Sequence, residues 1–231
     1  MKAVVLAGGK GTRLAPYTKI LPKPLMPIGD QPILEILLRQ MKRAGVNEVI
    51  LTVGHMAELL KAFFQDGEKF SLKISYSYED KPLGTAGPLS LIEGLESSFL
   101  VLNGDVLTTL DMNELVASHR SSGAAATIAT HARQVKVDLG VIQYNGDYDI
   151  VGYIEKPTYD FYVSMGVYVF EPRVLKYIPY NSYLDFPDLI LKLISAGEQV
   201  RGYPFTGYWQ DLGRTDDYEQ AVQDFDQVRK T

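Results

Sequence analysis

A glycine-rich stretch that follows a short apolar run constrains this chain more than any other feature. The run is Lys2 to Leu6 (KAVVL), whose β-branched residues predict a strand buried on both faces. Gly8, Gly9 and Gly11 follow at once, where the strand is expected to end. Glycine reaches positive φ and lets backbone amides approach a ligand closely. We therefore expect a ligand-binding loop at the carboxyl end of this first strand.

The residues beside this loop indicate that its ligand is an anion. Successive backbone N–H groups form a nest that suits a triphosphate. Arg13 adds a planar fork that matches phosphate oxygens. Lys23 stands between Pro22 and Pro24, which stiffen the backbone and favour a fixed point charge for a reacting phosphate. On these residues alone, a glycine turn with two solvated cations is an open alternative.

Two common nucleotide-binding motifs do not fit the loop. A P-loop needs Gly-x-x-x-x-Gly-Lys-Ser/Thr, but here Lys10 precedes Gly11, and Thr12 is followed by Arg13. A dinucleotide fingerprint needs Gly-x-Gly-x-x-Gly, but Leu14 occupies the last place. Neither class of protein is predicted.

The chain after the loop alternates predicted helices and strands. Residues 33–41 carry apolar side chains at helical spacing, and Asp30 is a candidate cap of this helix. The alternation predicts a parallel, doubly wound, Rossmann-like α/β sheet. Between residues 139 and 170 the pattern indicates added antiparallel strands, so we expect a mostly parallel, mixed sheet. The other predicted segments up to residue 78 are strands at 46–53 and 72–78 and a helix at 57–64.

Three further stretches carry candidate ligand-binding residues. Gly84, Thr85 and Ala86 lie in a thin wall against which a flat base could rest, or in a plain turn. Asp105 follows an apolar strand, where a carboxylate suits Mg²⁺ facing phosphates or caps a turn. Residues 155–157 (EKP) are typical of an exposed turn when taken alone.

Composition excludes several classes of protein. The 23 basic and 28 acidic residues give a net charge of −5, which argues against a nucleic-acid partner. No apolar run approaches membrane-spanning length, and there are no cysteines for a disulfide framework. The N-terminus lacks the basic and apolar segments of a signal peptide, so we expect a cytoplasmic protein. His55, His119 and His131 show no metal-ligand spacing and are expected at the surface or in loops.

The glycine loop is part of a longer pattern, Gly-Gly-x-Gly-Thr-Arg-Leu at residues 8–14 and Pro-Lys-Pro at 22–24. This pattern resembles the signature of the sugar-1-phosphate nucleotidylyltransferases, also called NDP-sugar pyrophosphorylases. The resemblance implies that a nucleoside triphosphate and a sugar 1-phosphate give an NDP-sugar and pyrophosphate. It also implies a single domain, residues 1–231. Its parts would be a nucleotide-binding half at about 1–135, a sugar-binding half at about 136–215 and a C-terminal helix at about 216–229.

The resemblance also implies roles for individual residues. Arg13, Lys23 and Asp105 are the implied catalytic residues, and Asp105 and Asp211 are the implied ligands of Mg²⁺. Ser164 departs from the family's usual asparagine, because serine keeps a hydroxyl but lacks the reach of the amide. The implied nucleotide-binding residues are Leu6, Gly8, Gly9, Gly11, Thr12, Arg13, Gly84, Thr85 and Ala86. The implied sugar-phosphate-binding residues are Gly140, Glu155, Lys156 and Ser164.

The substrates are less constrained than the reaction. Residues 82–89 (PLGTAGPL) are similar in wording to mannose-1-phosphate guanylyltransferases, which favours GTP with mannose 1-phosphate. The alternatives are dTTP or UTP with glucose 1-phosphate, and heptose or N-acetylmuramate 1-phosphate. Competing classes are a non-catalytic nucleotide-sugar-binding subunit and a glycosyltransferase. The latter is disfavoured because residues 105–107 are Asp-Val-Leu rather than Asp-x-Asp. A homo-oligomer is an open alternative for the assembly.

Overall fold

The computed structural model describes residues 1–229, apart from the side chains of residues 226–229. Residues 230 and 231, the last two of the predicted domain, lie outside this description. No helix within the described range is long and apolar enough to cross a bilayer. The helices are α1 (Ile33–Arg43), α2 (Ala57–Phe64), α3 (Met112–Ser122), α4 (Phe186–Ser195) and α5 (Thr215–Arg229). The strands are β1 (Lys2–Leu6), β2 (Pro27–Ile28), β3 (Gln31–Pro32), β4 (Glu48–Val53), β5 (Lys73–Tyr78), β6 (Phe99–Asn103), β7 (Val106–Thr108), β8 (Ala126–Lys136), β9 (Val141–Tyr144), β10 (Ile150–Ile154), β11 (Thr158–Phe170), β12 (Val200–Phe205) and β13 (Trp209–Asp211).

Seven strands form the central sheet, in the order β12-β8-β11-β6-β1-β4-β5. The pairs β5–β4, β4–β1, β1–β6 and β8–β12 are parallel. β11 runs antiparallel to both of its neighbours, β6 and β8. β11 therefore runs against the other six strands, and the expectation of a mostly parallel, mixed α/β sheet is confirmed.

Both faces of this sheet are covered, as the first strand predicts. Along β1, Ala3 and Val5 pack in the cluster that includes residues of α1, α2 and α3. Val4, between them, packs in the cluster that includes residues of α4. All three side chains are fully buried. Strands of this kind read as continuous apolar runs because neither face meets water.

The predicted cap of the first helix is wrong. Strands β2 and β3 pair as a short antiparallel hairpin, which places Asp30 in its turn rather than at the helix start. Gly29 in the same turn has φ +61°, and a methyl group there would lie 2.4 Å from the ring of Phe225. The turn thus needs glycine for its conformation and for the packing of α5. α1 begins only at Ile33, after Pro32 in an extended conformation.

β8 and β11 extend past the carboxyl edge of the sheet and form an arm, defined here as residues 131–163. β11 pairs with β6 only over residues 167–170 but with β8 from Thr158 onward. The β9–β10 hairpin lies between these strands in the chain. Beyond Thr130 the ladder continues for six residues, roughly 20 Å at about 3.3 Å per residue. This arm contains the predicted additional antiparallel strands.

Candidate active site

The loops after β1, β4, β5 and β6 meet at the carboxyl edge of the sheet. Gly104 donates its backbone N–H to the carbonyl of Leu6 at 2.9 Å, which ties the ends of β6 and β1 together. A methyl group at Gly8 would lie 2.6 Å from Oε1 of Glu79, which follows β5. Gly54, after β4, also lies against Gly8. Open α/β sheets bind ligands at this edge, so the glycine loop stands where a ligand is expected.

The glycine loop turns back on residues 16–19 through a left-handed residue. Gly11 has φ +60°, and its carbonyl accepts a hydrogen bond from the Thr18 hydroxyl at 2.8 Å. A methyl group at Gly11 would lie 2.8 Å from Cγ2 of Thr18 and 3.4 Å from Cβ of Lys23. Gly9 and Thr12 remain exposed on the outer side of the loop. Gly11 therefore brings the segment that carries Lys23 against the loop.

Lys23 forms an ion pair with Oδ2 of Asp105, a residue 82 positions later in the chain. Lys23 as a whole is only 8% exposed, and it begins a short 3-10 helix with buried Pro24 and Leu25. A lysine is seldom this buried unless its charge is paired. The structure thus fixes one of the predicted catalytic cations beside the predicted metal aspartate.

Asp211 joins this pair through the short sheet formed by β7 and β13. Asp211 lies opposite Val106 in that antiparallel register, and Leu212 donates its N–H to the Asp105 carbonyl at 3.1 Å. The pKa of Asp211 is raised, first by partial loss of hydration and then by the charge of Asp105. Lys23 and Arg13 oppose that rise. Asp211 keeps a solvent-exposed side, so it remains accessible to a ligand.

Arg13 lies near the same carboxylate. A methyl group at Gly213 would lie 3.0 Å from Oδ1 of Asp211 and 3.2 Å from Nη2 of Arg13. Because residue 213 has no side chain, the Arg13 guanidinium and the Asp211 carboxylate can both lie against its backbone. The structure brings the four predicted charged residues together, and we call them the four-charge cluster: Arg13, Lys23, Asp105 and Asp211.

The two carboxylates of this cluster fit a divalent cation that takes its other ligands from elsewhere. The part of the chain that the structure describes contains no group of three or more metal-ligating side chains. Mg²⁺ does not need one, because it is usually held by one or two carboxylates together with phosphate oxygens and water. The charge of Asp105 raises the pKa of Asp211, and a cation between them would relieve that repulsion.

The loop at residues 83–87 is folded against the segment before α4, and several of its polar groups are hydrogen-bonded to that segment. The Thr85 N–H donates to Asp185 Oδ1 at 2.9 Å, and the Thr85 hydroxyl contacts the same oxygen at 3.2 Å. The N–H groups of Ala86 and Gly87 both donate to the Leu184 carbonyl. The Thr85 hydroxyl therefore belongs to an internal network rather than being free for a base.

Glu79 is a site residue that the sequence interpretation missed. Its Oε2 accepts the N–H of Leu83 at 3.0 Å, and its Oε1 lies against Gly8. Burial raises the pKa of Glu79, while the hydrogen bond from Leu83 lowers it. A carboxylate thus stands between the glycine loop and the loop at residues 83–87. Its position directly after β5 was the available signal, since carboxylates at this edge are ligand candidates.

Ser164 lies at an irregularity of β11 next to the end of β6. The pairing of β8 with β11 shifts register between Ser164 and Tyr168, and the Ser164 hydroxyl donates to the Tyr168 hydroxyl at 2.9 Å. Gly166 has φ +72°, and a methyl group there would lie 2.6 Å from Nδ2 of Asn103. The structure thus places Ser164 near the residues that lead into Asp105.

The other predicted sugar-phosphate residues gather on the arm. A methyl group at Gly140 would lie 2.1 Å from the hydroxyl oxygen of Tyr153, which donates to Glu155 at 3.2 Å. Lys156 has φ +45°, and its Nζ lies 3.9 Å from Glu155. Glu155 and Lys156 are both exposed. In the described structure their side-chain contacts are with each other and Tyr153, not with the four-charge cluster.

One histidine does not lie where the sequence interpretation put it. His119 is 1% exposed, with its ring nitrogens 2.8 Å from the Thr127 hydroxyl and 3.1 Å from Glu171 Oε1. Glu171 also accepts from the Ser98 hydroxyl at 2.6 Å. Burial lowers the pKa of His119. These residues lie at the amino edge of the sheet, opposite the loops described above. Because His119 is buried there, it is a core residue rather than a surface or loop residue.

The comparisons with known proteins show the family to which the chain belongs. The family model described as nucleotidyl transferase matches residues 2–228, and the chain belongs to that family. A UTP–glucose-1-phosphate uridylyltransferase of Synechocystis sp. is 36% identical over 96% of this chain and 62% of its own length. A mannose-1-phosphate guanylyltransferase catalytic subunit beta of Drosophila pseudoobscura pseudoobscura is 34% identical over 94% of this chain and 60% of its own length. The chain therefore spans less than two thirds of these curated relatives.

Solved structures match over nearly their whole length. A putative glucose-1-phosphate thymidylyltransferase from Bacillus anthracis, solved with sucrose, has a TM-score of 0.78 at 25% identity. That match covers 96% of this chain and 94% of the other. The HddC structure from Yersinia pseudotuberculosis has a TM-score of 0.74 at 25% identity, covering 97% of this chain and 99% of that chain. The fold is therefore that of the nucleotidyltransferases.

Proposed function

We propose that this chain is a sugar-1-phosphate nucleotidylyltransferase, which makes an NDP-sugar and pyrophosphate from a nucleoside triphosphate and a sugar 1-phosphate. The observation that carries the proposal is the four-charge cluster beside the glycine loop. Two anions must meet in this reaction, so charge neutralisation and positioning are the main requirements. Two cations and two carboxylates at the carboxyl edge of the sheet supply them.

Each charge of the cluster has a role in this proposal. A phosphate oxygen of the sugar 1-phosphate attacks the α-phosphorus in line, and the bond to the β-phosphate bridging oxygen breaks as pyrophosphate leaves. Lys23 neutralises charge on the α-phosphoryl group, and Arg13 steadies the β- and γ-phosphates. The attacking phosphate is already ionised at neutral pH, so no general base is required.

We also propose that Asp105 and Asp211 hold Mg²⁺. When bound, the ion neutralises phosphate charge and helps to align the triphosphate. The support is the donor set itself, two neighbouring carboxylates. The pKa of Asp211 is raised by loss of hydration and, to a smaller extent, by the charge of Asp105. Lys23 and Arg13 already balance the two carboxylates. A divalent cation is therefore needed only when the anionic phosphates of the substrates enter the site.

The placement of Glu79 supports GTP as the nucleotide. Guanine presents two donors side by side, N1–H and the N2 amino group, and a carboxylate accepts from both. Uracil and thymine present a single N3–H between two carbonyl oxygens, which a carboxylate repels. Glu79 lies between the loops that would enclose the base, with Oε2 already oriented by Leu83. UTP and dTTP are therefore the second choice, although a relative is named for UTP.

For the sugar we propose mannose 1-phosphate first, with Lys156 holding its phosphate and Glu155 accepting from its hydroxyls. Gly140 contacts Tyr153, which in turn contacts Glu155. Of the four proposed sugar-phosphate residues, Ser164 lies nearest to the end of β6. Glucose, heptose and N-acetylmuramate 1-phosphates remain the alternatives. These substrates are metabolites of the cytoplasm, where we expect the protein to act.

The test is pyrophosphate release in the presence of Mg²⁺ over a grid of nucleoside triphosphates and sugar 1-phosphates. We expect signal with GTP and mannose 1-phosphate. Signal with UTP or dTTP and glucose 1-phosphate would keep the reaction and overturn the choice of base. Signal across many sugars would indicate that Ser164 selects loosely. No turnover from folded protein that still binds a nucleotide would overturn the enzyme proposal in favour of a regulatory subunit.

A further inference from the structure

A segment from the second half of the chain, residues 181–186, lies along the loop at residues 83–87. Leu184 donates its N–H to the Leu83 carbonyl at 2.9 Å, and its own carbonyl accepts from Ala86 and Gly87 at 2.9 and 3.0 Å. The loop also approaches this segment closely at Gly84, where a methyl group would lie 2.7 Å from the Leu184 carbonyl oxygen. This loop is therefore held mainly by a segment about a hundred residues later.

Asp185 is the side chain on which this contact centres. Its Oδ1 is 2.9 Å from the Thr85 N–H nitrogen and 3.2 Å from the Thr85 hydroxyl oxygen, 100 residues away. Its Oδ2 accepts from the Tyr183 hydroxyl at 2.6 Å. Although Asp185 stands at the cap position of α4, its side chain makes no cap hydrogen bond there. Phe186 instead donates its N–H to the Thr85 hydroxyl at 2.8 Å, so the loop caps the helix and the aspartate fixes the loop.

The donors around Asp185 favour its charged form. Hydrogen bonding from Tyr183 is the main reason that the pKa of Asp185 is lowered, and the two groups of Thr85 act in the same direction. Hydrogen bonds to a charged acceptor are stronger than those between neutral groups. Gly84, with φ +76°, would otherwise leave this loop with considerable backbone freedom. The interactions of Asp185 are thus suited to holding the loop in one conformation.

We infer that Asp185 is a positioning residue for the nucleotide base, acting through Thr85 on the loop at residues 83–87. The inference rests on the proposed function, in which this loop and Glu79 enclose the base. Asp185 contacts no reacting group, so its removal should weaken nucleotide binding more than it slows the chemical step. The sugar-binding residues of the arm lie outside its contacts in the described structure, so the affinity for sugar 1-phosphate should change little.

The test compares three variants of the full chain. Asp185→Ala removes the two carboxylate oxygens that contact Thr85 and Tyr183, and we expect the KM for GTP to rise about tenfold with the KM for the sugar 1-phosphate nearly unchanged. Asp185→Asn keeps a carbonyl oxygen for Thr85 and an amide that can donate to Tyr183, so it should restore a near-normal KM for GTP. Asp188→Ala is the matched control, because it removes a carboxylate from the first turn of the same helix.

Equilibrium binding of GTP, measured alongside turnover, separates the two proposals. Wild-type protein that binds GTP without turning over any sugar would overturn the proposed reaction, and the Kd values of the variants would still test Asp185. An Asp185→Ala protein with normal GTP affinity, or one that loses both affinities equally, would overturn the positioning role. So would an Asp185→Asn protein as impaired as Asp185→Ala. Circular dichroism confirms that each variant is folded, and a wild-type protein that binds no nucleotide would overturn both proposals.

Discussion

In the nucleotide-binding half, the site side chains are held by residues far away in the chain, whereas on the arm they are held by near neighbours. Lys23 pairs with Asp105 over 82 positions, and Arg13 meets Asp211 over Gly213. Glu155, by contrast, contacts Tyr153 and Lys156. In the first set Lys23 is buried at the sheet edge, whereas Glu155 and Lys156 in the second set are exposed.

This difference indicates two degrees of preorganisation. In the proposed reaction, groups that are fixed by long-range contacts are already placed for phosphate chemistry, which is the condition for strong electrostatic catalysis. Groups on an exposed hairpin must be ordered by the substrate, which costs conformational entropy on binding. The exposure of Tyr148 at 85% and Tyr153 at 63% shows how little the arm is packed. We therefore expect mutations in the first set to affect turnover and mutations in the second to affect the KM of the sugar.

The largest effect is expected for Lys23→Ala. The variant loses the buried cation to which we assign neutralisation of the α-phosphoryl group, so kcat should fall on the order of 10²-fold or more. Lys19→Ala, an exposed lysine of the neighbouring 3-10 turn, is the control. The measurement is pyrophosphate release at saturating substrates. A loss below about threefold would remove Lys23 from the catalytic set, since transition-state donors contribute far more than that.

Lys156→Ala probes the arm. We expect the KM for the sugar 1-phosphate to rise about tenfold, the factor of one lost charge-assisted contact, while the KM for the nucleotide stays constant. Lys136→Ala removes a cation from the same arm, where Lys136 pairs with Asp138 at 3.5 Å, and should leave both constants unchanged. A fall in kcat without a change in KM would show that Lys156 is as preorganised as Lys23, and the contrast between the halves would be lost.

Glu79→Gln tests the base preference. The glutamine side chain keeps the size but replaces one acceptor by a donor, so the ratio of kcat/KM for GTP to that for UTP should fall about tenfold. Asp80→Asn, an exposed neighbour, serves as the control. Steady-state kinetics with the two nucleotides provide the ratio. If it does not change, Glu79 does not read the base.

The smallest effect concerns stability at the opposite edge of the sheet. The pKa of His119 is lowered from its ordinary value of 6.5 by burial, so the unfolded state binds the proton more readily. Stability should therefore fall as pH drops below 6.5, with Tm decreasing by roughly 2–4 °C for each kcal/mol lost. His119→Gln should flatten the dependence of Tm on pH in this window, whereas exposed His55→Gln should not. An equal slope in all three proteins would contradict the assignment.

The parts of the fold that follow local rules were predictable. The apolar run of β1 and the helix at 57–64 depend on local sequence alone. The prediction of a cap at Asp30 was wrong because that residue lies in the turn of the β2–β3 hairpin. Whether such a hairpin forms depends on packing partners outside the local sequence.

The site was predictable only where a motif marks it. Arg13, Lys23, Asp105 and Asp211 stand in recognisable stretches, and the sheet brings them together. Glu79 is not part of a recognisable motif. Its place in the site is defined by its contacts with Gly8 and Leu83. Asp185 was equally invisible, since the sequence does not reveal that its partner is Thr85. The contacts of Glu79 and Asp185 depend on how distant segments pack together. The spacing of residues within one segment does not reveal that packing.

The pairing of β7 with β13 also bears on when the proposed site is completed during synthesis. Arg13 leaves the ribosome early, but its partner over Gly213 is Asp211, near the other end of the described chain. Synthesis at about 5–20 residues per second places roughly ten seconds or more between the two. A nascent or prematurely terminated chain therefore displays the glycine loop without the second carboxylate. Under the proposed function, such a chain should not consume nucleotide.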